Sequence, residues 1–314
     1  MNDTILTILV LLLGLSVAPT AWAQGTPTTT ATQSAEKVEK YVYKKTPQGE
    51  LAMYVHLPPD WKAEDKRAVI VFFFGGGWTQ GTVEQFRPQA TYLAGRGMVA
   101  ARADYRVKGR HNVTPDKCVE DAKSAVRWLR GSAGKLGIDP NRIVASGGSA
   151  GGHIAACSFT TRGLEAEGED QSVSSKPNLL VLFNPVLNCT ALPDRFASAE
   201  MAKLISPTLN LTKDVPPAIL FFGTQDRFLA MGKEFVGESR KLGTTVELHA
   251  ADGQGHGFFN RPPWTERTTY LMDEFLSKHG YTKGKPTIEL PQGNVELKKL
   301  AESPEKAGER ENRK

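Results

Sequence analysis

Residues 142–153, Arg142-Ile143-Val144-Ala145-Ser146-Gly147-Gly148-Ser149-Ala150-Gly151-Gly152-His153, decide how the rest of the chain is read. Ile143, Val144 and Ala145 stop at a glycine-rich turn, and a helix-like run, Ile154-Ala155-Ala156-Cys157, follows at once. The pattern is strand, sharp turn, helix, with Gly147 and Gly151 spaced around Ser149 as G-x-S-x-G. A serine at the tip of such a turn is strained, and a Cβ on either neighbour would collide with the returning helix, so both neighbours are glycine. The serine hydroxyl then stands clear of the sheet. The N–H of Ala150, at the helix N-terminus, points at any oxyanion formed on an attacked carbonyl. Taken alone, the same letters also describe a Gly/Ser-rich loop with Ser149 as a helix cap. The surrounding chain has to choose.

Upstream, Ala68 to Phe74 is apolar without alternation, as a strand buried on both faces should be, and it runs into Gly75-Gly76-Gly77-Trp78. Three glycines in a row let backbone N–H groups approach a ligand oxygen, although a flexible turn would use the same residues. Before it, Val42-Tyr43 and Leu51 to Leu57 alternate around Thr46-Pro47-Gln48-Gly49 and predict an antiparallel entry hairpin. After it come a helix around Glu84 to Ala94, a strand from Met98 to Tyr105, and a long amphipathic helix opened by Thr114 as cap and Pro115 in the first turn. Beyond the serine, Leu179 to Phe183 and Ala218 to Phe222 read as buried strands. A helix over Met231 to Leu242, a strand over Thr245 to Ala250 and a helix over Glu266 to Lys278 complete the pattern. Strands alternate with helices throughout, which predicts an α/β fold, a mostly parallel doubly wound sheet. Residues 184–217 leave room for a short helix or two and not for a folded cap, so the cap is small or absent.

The chain has 314 residues, 40% hydrophobic and 23% charged, an ordinary globular composition. Its 39 basic and 34 acidic residues give a formal charge of +5, with no basic block interleaved with aromatics, so nucleic acid is not an expected partner. Residues 1–23 read as a signal peptide: Ile5 to Val17 is an apolar run of export-signal length and Ala21-Trp22-Ala23 a small-x-small cleavage pattern. Asp3 departs from the usual positive front, which leaves an uncleaved anchor as the minor alternative. The expected location is periplasmic or secreted, with no stable membrane insertion once the signal is removed. Residues 24–37, rich in Thr, Pro, Ala and Gln, read as a disordered leader, 38–282 as the catalytic domain and 283–314 as a polar tail. Cys118, Cys157 and Cys189 allow at most one disulfide, and buried free thiols serve equally well.

In an open parallel sheet, the loops after the strands converge on one edge. Four features fall there: Gly75 to Gly77, Ser149, Asp226 after Gly223-Thr224-Gln225, and His256 in Gly253-Gln254-Gly255-His256-Gly257-Phe258. Ser149 is a poor nucleophile at neutral pH unless an imidazole takes its proton. His256 can do so and return the proton to a leaving group, while Asp226 holds the imidazole tautomer. Asp252 is the rival acid, but it shares the histidine's own loop. His153 sits one helical turn past Ser149, where bracing the turn suits it better than proton transfer. His56, His111, His249 and His279 fall in strands, an early loop or a helix end. No cluster has metal-ligand spacing, and neither metal nor cofactor is expected. Trp78 and Phe258, each directly after one of these loops, are candidates for the walls of a substrate pocket and equally for the core.

The sequence resembles the α/β-hydrolase superfamily, in particular bacterial esterases and lipases with a glycine-rich oxyanion loop. It is close to hormone-sensitive-lipase-like and feruloyl or acetyl-xylan esterase-like members. The resemblance is carried by Phe74 to Trp78, Asp104-Tyr105-Arg106, Gly147 to His153, Gly223 to Asp226 and Gly255 to Phe258. It implies Ser149, Asp226 and His256 as a catalytic triad and the N–H groups of Gly76, Gly77 and Ala150 as the oxyanion hole. Two departures stand out. Phe74 replaces the histidine that leads the family's glycine loop, so that loop must be braced from elsewhere. Gly148 replaces an acidic residue usual before the serine in hormone-sensitive-lipase-like members. The implied activity is that of an exported carboxylic ester hydrolase acting on short-chain esters, small or carried on carbohydrate, such as acetyl groups on polysaccharide. A prolyl-oligopeptidase-like peptidase shares the triad order but needs a large gating domain this chain lacks room for. A catalytically silent binding protein would be expected to have lost a triad member.

Overall fold

A computed structural model describes residues 37–293 and 296–300. The expected signal peptide, the expected leader up to residue 36 and the tail from residue 301 lie outside the described residues. Nine strands form a single sheet in the order β1-β2-β4-β3-β5-β6-β7-β8-β9. They are β1 Lys37–Thr46, β2 Gly49–Leu57, β3 Arg67–Phe73, β4 Val99–Ala103, β5 Ile138–Gly148, β6 Leu179–Phe183, β7 Ala218–Gly223, β8 Val246–Ala251 and β9 Leu297–Lys299. β1 and β2 are the expected hairpin, and β2 joins β4 antiparallel. From β4 through β3, β5, β6 and β7 to β8 every pairing is parallel. This is the α/β-hydrolase fold.

The helices are α1 Arg87–Gly95, α2 Lys108–His111, α3 Pro115–Gly131, α4 Ala133–Leu136, α5 Ala150–Thr160, α6 Ala199–Leu204, α7 Leu229–Lys241 and α8 Trp264–Lys278. Their packing explains why the central strands show no polar alternation. Val69, Val71 and Phe73 of β3 lie in one core with Val119 and Val126 of α3, Ile154 of α5 and Phe235 of α7. Ile70 and Phe72 lie in a second core with Leu93 of α1 and Met272 and Leu276 of α8. Helices cover both faces, so successive side chains of one strand must all be apolar. Thr114 occupies the N-cap of α3, but its side chain makes no capping bond. The expected helix from Glu84 begins as a 3₁₀ turn, Val83–Phe86, before α1.

Residues 184–217 hold three 3₁₀ turns and the six-residue α6, with no folded insertion. One domain boundary needs correction. The domain does not end at residue 282: β9 pairs antiparallel with β8 and closes the sheet edge. The intervening stretch is tied down by backbone groups, since Arg96 donates to the Lys283 carbonyl at 2.7 Å, and Tyr92 Oη accepts the Thr287 N–H at 3.0 Å. A polar sequence without periodicity can still order when its main chain completes a sheet edge.

Candidate active site

Ser149 sits where β5 turns into α5, at φ 52° and ψ −115°, a conformation that non-glycine residues rarely adopt. It is held from both sides: its N–H donates to the Phe183 carbonyl of β6 at 2.9 Å, and its carbonyl accepts the His153 N–H at 2.9 Å. The steric role of the flanking glycines is visible. A Cβ on Gly147 would lie 2.5 Å from the Gly151 carbonyl carbon and 2.6 Å from the Phe73 oxygen. A Cβ on Gly151 would overlap the carbonyl oxygens of Phe73 and Phe74, so the obstacle there is the neighbouring strand rather than the returning helix. Gly148 is equally constrained, because a Cβ would approach Phe259 to 2.6 Å and Phe86 to 3.3 Å. An acidic side chain at that position would have to displace the Phe259 ring.

Ser149, His256 and Asp226 form a hydrogen-bonded line. His256 Nε2 lies 2.8 Å from Ser149 Oγ, and His256 Nδ1 lies 2.8 Å from Asp226 Oδ2. The Asp226 side chain is buried, while that of His256 remains 34% exposed, open to a substrate. The other carboxylate oxygen, Oδ1, accepts the Phe228 N–H at 2.9 Å, and the Phe228 ring stands edge-on to the imidazole at 5.2 Å. Asp252, the rival acid, instead accepts from Thr224 Oγ1 at 3.2 Å on the exposed surface. Such a line can carry a proton from the serine hydroxyl to the imidazole while the carboxylate stabilises the charge that forms.

The remaining histidines are held elsewhere. His56 Nε2 accepts from Arg102, His111 Nδ1 accepts the Val107 N–H, His249 lies 3.4 Å from Glu247, and His279 packs on Phe275. His153 is fully buried. Its Nδ1 accepts from the Trp78 indole N–H at 3.1 Å, which leaves Nε2 as the protonated nitrogen, and Nε2 donates to the Ile205 carbonyl at 2.7 Å. Desolvation lowers its pKa from 6.5 to about 4 despite the opposing carbonyl contact. A neutral imidazole thus ties Trp78, directly after the glycine loop, to the helix that follows Ser149. Cys157 and Cys189 are buried free thiols against the same Nε2, at 3.4 and 3.2 Å, and burial pushes the Cys157 thiol up to about 12. Cys118 is also free and buried.

The glycine loop is braced by Gln85, which sequence reasoning did not single out, and by Tyr105 of the Asp104-Tyr105-Arg106 motif. Gln85 Oε1 accepts the Gly75 N–H at 2.6 Å, and Gln85 Nε2 donates to Asn260 at 3.0 Å, so one amide joins the glycine loop to the histidine loop. Tyr105 Oη donates to the Phe74 carbonyl at 2.7 Å while its ring stacks on Phe74 at 4.2 Å. Together these serve where the family's histidine is missing. Asn184, at φ 37° beyond the end of β6, accepts the Gly257 N–H at 3.0 Å and so positions the residue after His256. An asparagine at the carboxyl end of a buried strand was the available signal, since Asn tolerates left-handed backbone better than most side chains. Among the described residues no acceptor is recorded for the N–H groups of Gly76, Gly77 and Ala150, the three implied oxyanion donors.

A cavity of about 350 Å³ is lined by Ser149 and His256 together with Gly76, Trp78, Phe228 and Phe259. Trp78 is therefore a wall residue, although its ring is 5% exposed and anchored by His153. Phe258 is not. It is fully buried against Trp264 in the second core, and its neighbour Phe259 faces the cavity instead. A larger, shallower depression of about 840 Å³ lies at the opposite ends of the strands, against Asn178 and Pro217. Among the described residues its lining contains serines but no histidine.

Residues 53–234 match the BD-FAE family. The chain belongs to that family. Among curated proteins it is 28% identical over 242 residues to a probable isoprenylcysteine alpha-carbonyl methylesterase of Arabidopsis thaliana, covering 68% of this chain and 50% of that protein. It is 27% identical over 226 residues to the esterase LipC of Mycobacterium tuberculosis, covering 63% and 56%. The chain thus spans about half the length of these curated relatives. It covers 97% of Thermogutta terrifontis esterase 2 in its apo form, at 46% identity and a TM-score of 0.76 over 79% of this chain. Propionate-bound and butyrate-bound structures of that esterase align equally, each with a TM-score of 0.75.

Proposed function

We propose that this protein is an exported serine esterase that hydrolyses short-chain carboxylic esters through an acyl-enzyme. The observation that carries the reading is the line from Ser149 Oγ through His256 to buried Asp226, at 2.8 Å in both steps. In this mechanism Ser149 Oγ attacks the ester carbonyl while His256 Nε2 takes the hydroxyl proton. The negative charge on the carbonyl oxygen is met by the N–H groups of Gly76, Gly77 and Ala150. His256 then protonates the departing alcohol, and water, activated by the same imidazole, releases the acid. Asp226 holds Nδ1–H and stabilises the imidazolium.

The short acyl side is supported by a cavity of about 350 Å³, by the lack of an inserted cap domain in residues 184–217, and by the propionate and butyrate held by the esterase it resembles. Export rests on the apolar run Ile5 to Val17 and on Ala21-Trp22-Ala23, and implies a periplasmic or secreted enzyme. The substrate in this reading is a small ester or an acylated carbohydrate, acetyl groups on polysaccharide among them.

Paraoxon phosphorylates the Thermogutta esterase, and it tests this reading directly. The purified chain should lose p-nitrophenyl acetate hydrolysis on paraoxon treatment, and peptide mass spectrometry should place the diethyl phosphate on Ser149. Unmodified Ser149 in a fully inactivated sample would remove it from the nucleophile's role.

A further inference from the structure

The active cavity has an uneven charge distribution. Arg195 and Arg227 line it together with Ser149 and His256, and among the described residues no aspartate or glutamate does. Both arginines are exposed, and neither makes an ion pair among the described residues. Elsewhere, buried or half-buried arginines meet carboxylates: Arg106 reaches Asp121, Arg96 reaches Asp273 and Arg127 reaches Glu169. Arg227 follows the proposed triad acid directly, yet among the described residues it forms no ion pair with Asp226, whose oxygens meet His256 and the Phe228 N–H. The Arg227 guanidinium lies instead over the Phe228 ring, 4.6 Å from its centroid, a contact that orients the fork without cancelling its charge.

The second arginine extends the pattern. Arg195 ends the 3₁₀ turn Pro193–Arg195 and is shared, with Gly77 and Trp78, between this cavity and an adjoining depression of about 460 Å³. That depression adds Lys108, exposed and, among the described residues, without an ion pair, against one described acid, Asp194. Arg227 and Arg195 thus bring positive charge to the cavity over the serine, and Arg195 and Lys108 bring it to the depression that adjoins it. A two-to-four-carbon acyl group fills only part of these two depressions, which leaves the cations to meet the alcohol side of the substrate.

On the esterase reading above, we infer that the alcohol half of the substrate is an acidic sugar chain: the enzyme removes short acyl groups from an O-acylated polyuronate, with Arg195 and Arg227 receiving its carboxylates. Guanidinium forks match carboxylate geometry, and unpaired arginines at the mouth attract an anionic chain without requiring a deep pocket.

The test uses the full chain and two matched substrates, an O-acetylated galacturonate oligosaccharide and the same oligosaccharide with its carboxylates reduced to alcohols. Acetate release is measured beside p-nitrophenyl acetate hydrolysis. The ratio of kcat/KM for the acidic over the reduced substrate should be roughly tenfold at low salt and should fall towards one at about 1 M salt, where screening is nearly complete. Arg195→Gln and Arg227→Gln should each lower that ratio several-fold. A ratio near one in an enzyme that turns over p-nitrophenyl acetate, or a ratio unmoved by both substitutions, overturns the acidic-sugar inference and leaves the esterase reading standing. An enzyme inert towards all three substrates overturns the esterase reading itself, and this inference with it.

Discussion

Two histidines lie close to Ser149, and their surroundings are opposite. His256 sits at the mouth of the cavity, partly exposed, between a hydroxyl and a buried carboxylate. His153, four residues along α5, is sealed between an indole N–H, a backbone carbonyl and two thiols. The first has a buried carboxylate on one ring nitrogen, a hydroxyl on the other and a partly exposed edge, the arrangement that proton transfer needs. The second is held neutral by desolvation, with no carboxylate in contact, and serves as a fixed strut between the glycine loop and the nucleophile helix. The same side chain can be a reagent or a structural part, and what separates the two is burial and the charge of the partner.

The largest effects should fall on the His256 side. Ser149→Ala and His256→Gln should each reduce kcat for p-nitrophenyl acetate by about a millionfold, with thermal unfolding midpoints close to the parent's. His153→Gln should instead reduce kcat by about a hundredfold at most, through a misplaced glycine loop, with KM little changed. A His153→Gln enzyme that folds and is as inactive as Ser149→Ala would erase the distinction between the two rings.

The acid comes next. Asp226→Asn keeps the shape but presents the wrong hydrogen-bond partner to His256, and turnover should fall by roughly ten thousandfold. Asp252→Asn, on the exposed side of Thr224, should change it by less than about twofold. The reverse ranking in steady-state assays would move the acid onto the histidine's own loop.

For His153 the sharper measurement is stability against pH. Its pKa is depressed in the folded protein, from 6.5 to about 4, so the unfolded chain binds the extra proton first. The stability contributed by the neutral ring is complete above pH 6.5, declines as pH falls towards 4 and is flat below. The loss across that window is roughly 3 kcal/mol. Carboxylates titrate nearby, so urea unfolding of the parent should be compared with that of His153→Gln at each pH. A difference between the two that stays constant from pH 7 to pH 4 would show that the ring is not held neutral.

The smallest effect concerns the acyl group. kcat/KM should be highest for acetyl to butyryl p-nitrophenyl esters and several-fold lower at octanoyl and beyond, since a cavity of about 350 Å³ lacks a long tunnel. A maximum at octanoate or longer in the two-to-twelve-carbon series would favour a lipase-like enzyme.

Much of this protein was legible from its residues alone, where the cause is local or repeats along the chain. The strand–turn–helix around Ser149 follows from glycines that leave no space for a Cβ, and the parallel sheet follows from apolar runs without alternation. The order Ser149, Asp226, His256 along strand ends was enough to place all three on one sheet edge, because topology alone brings those loops together. What the sequence could not decide depends on side-chain direction and on contacts between distant segments. Phe258 and Phe259 are adjacent and chemically identical, yet in a 3₁₀ turn successive side chains point about 120° apart. One fills the core beside Trp264 and the other faces the cavity. Gln85 reaches Gly75 and Asn260 across 10 and 175 residues of sequence, and nothing in its local pattern marks it. Residues 283–300 read as polar tail because a three-residue edge strand has no hydrophobic period; only the exposed edge of β8, present once the sheet has formed, gives its main chain a partner.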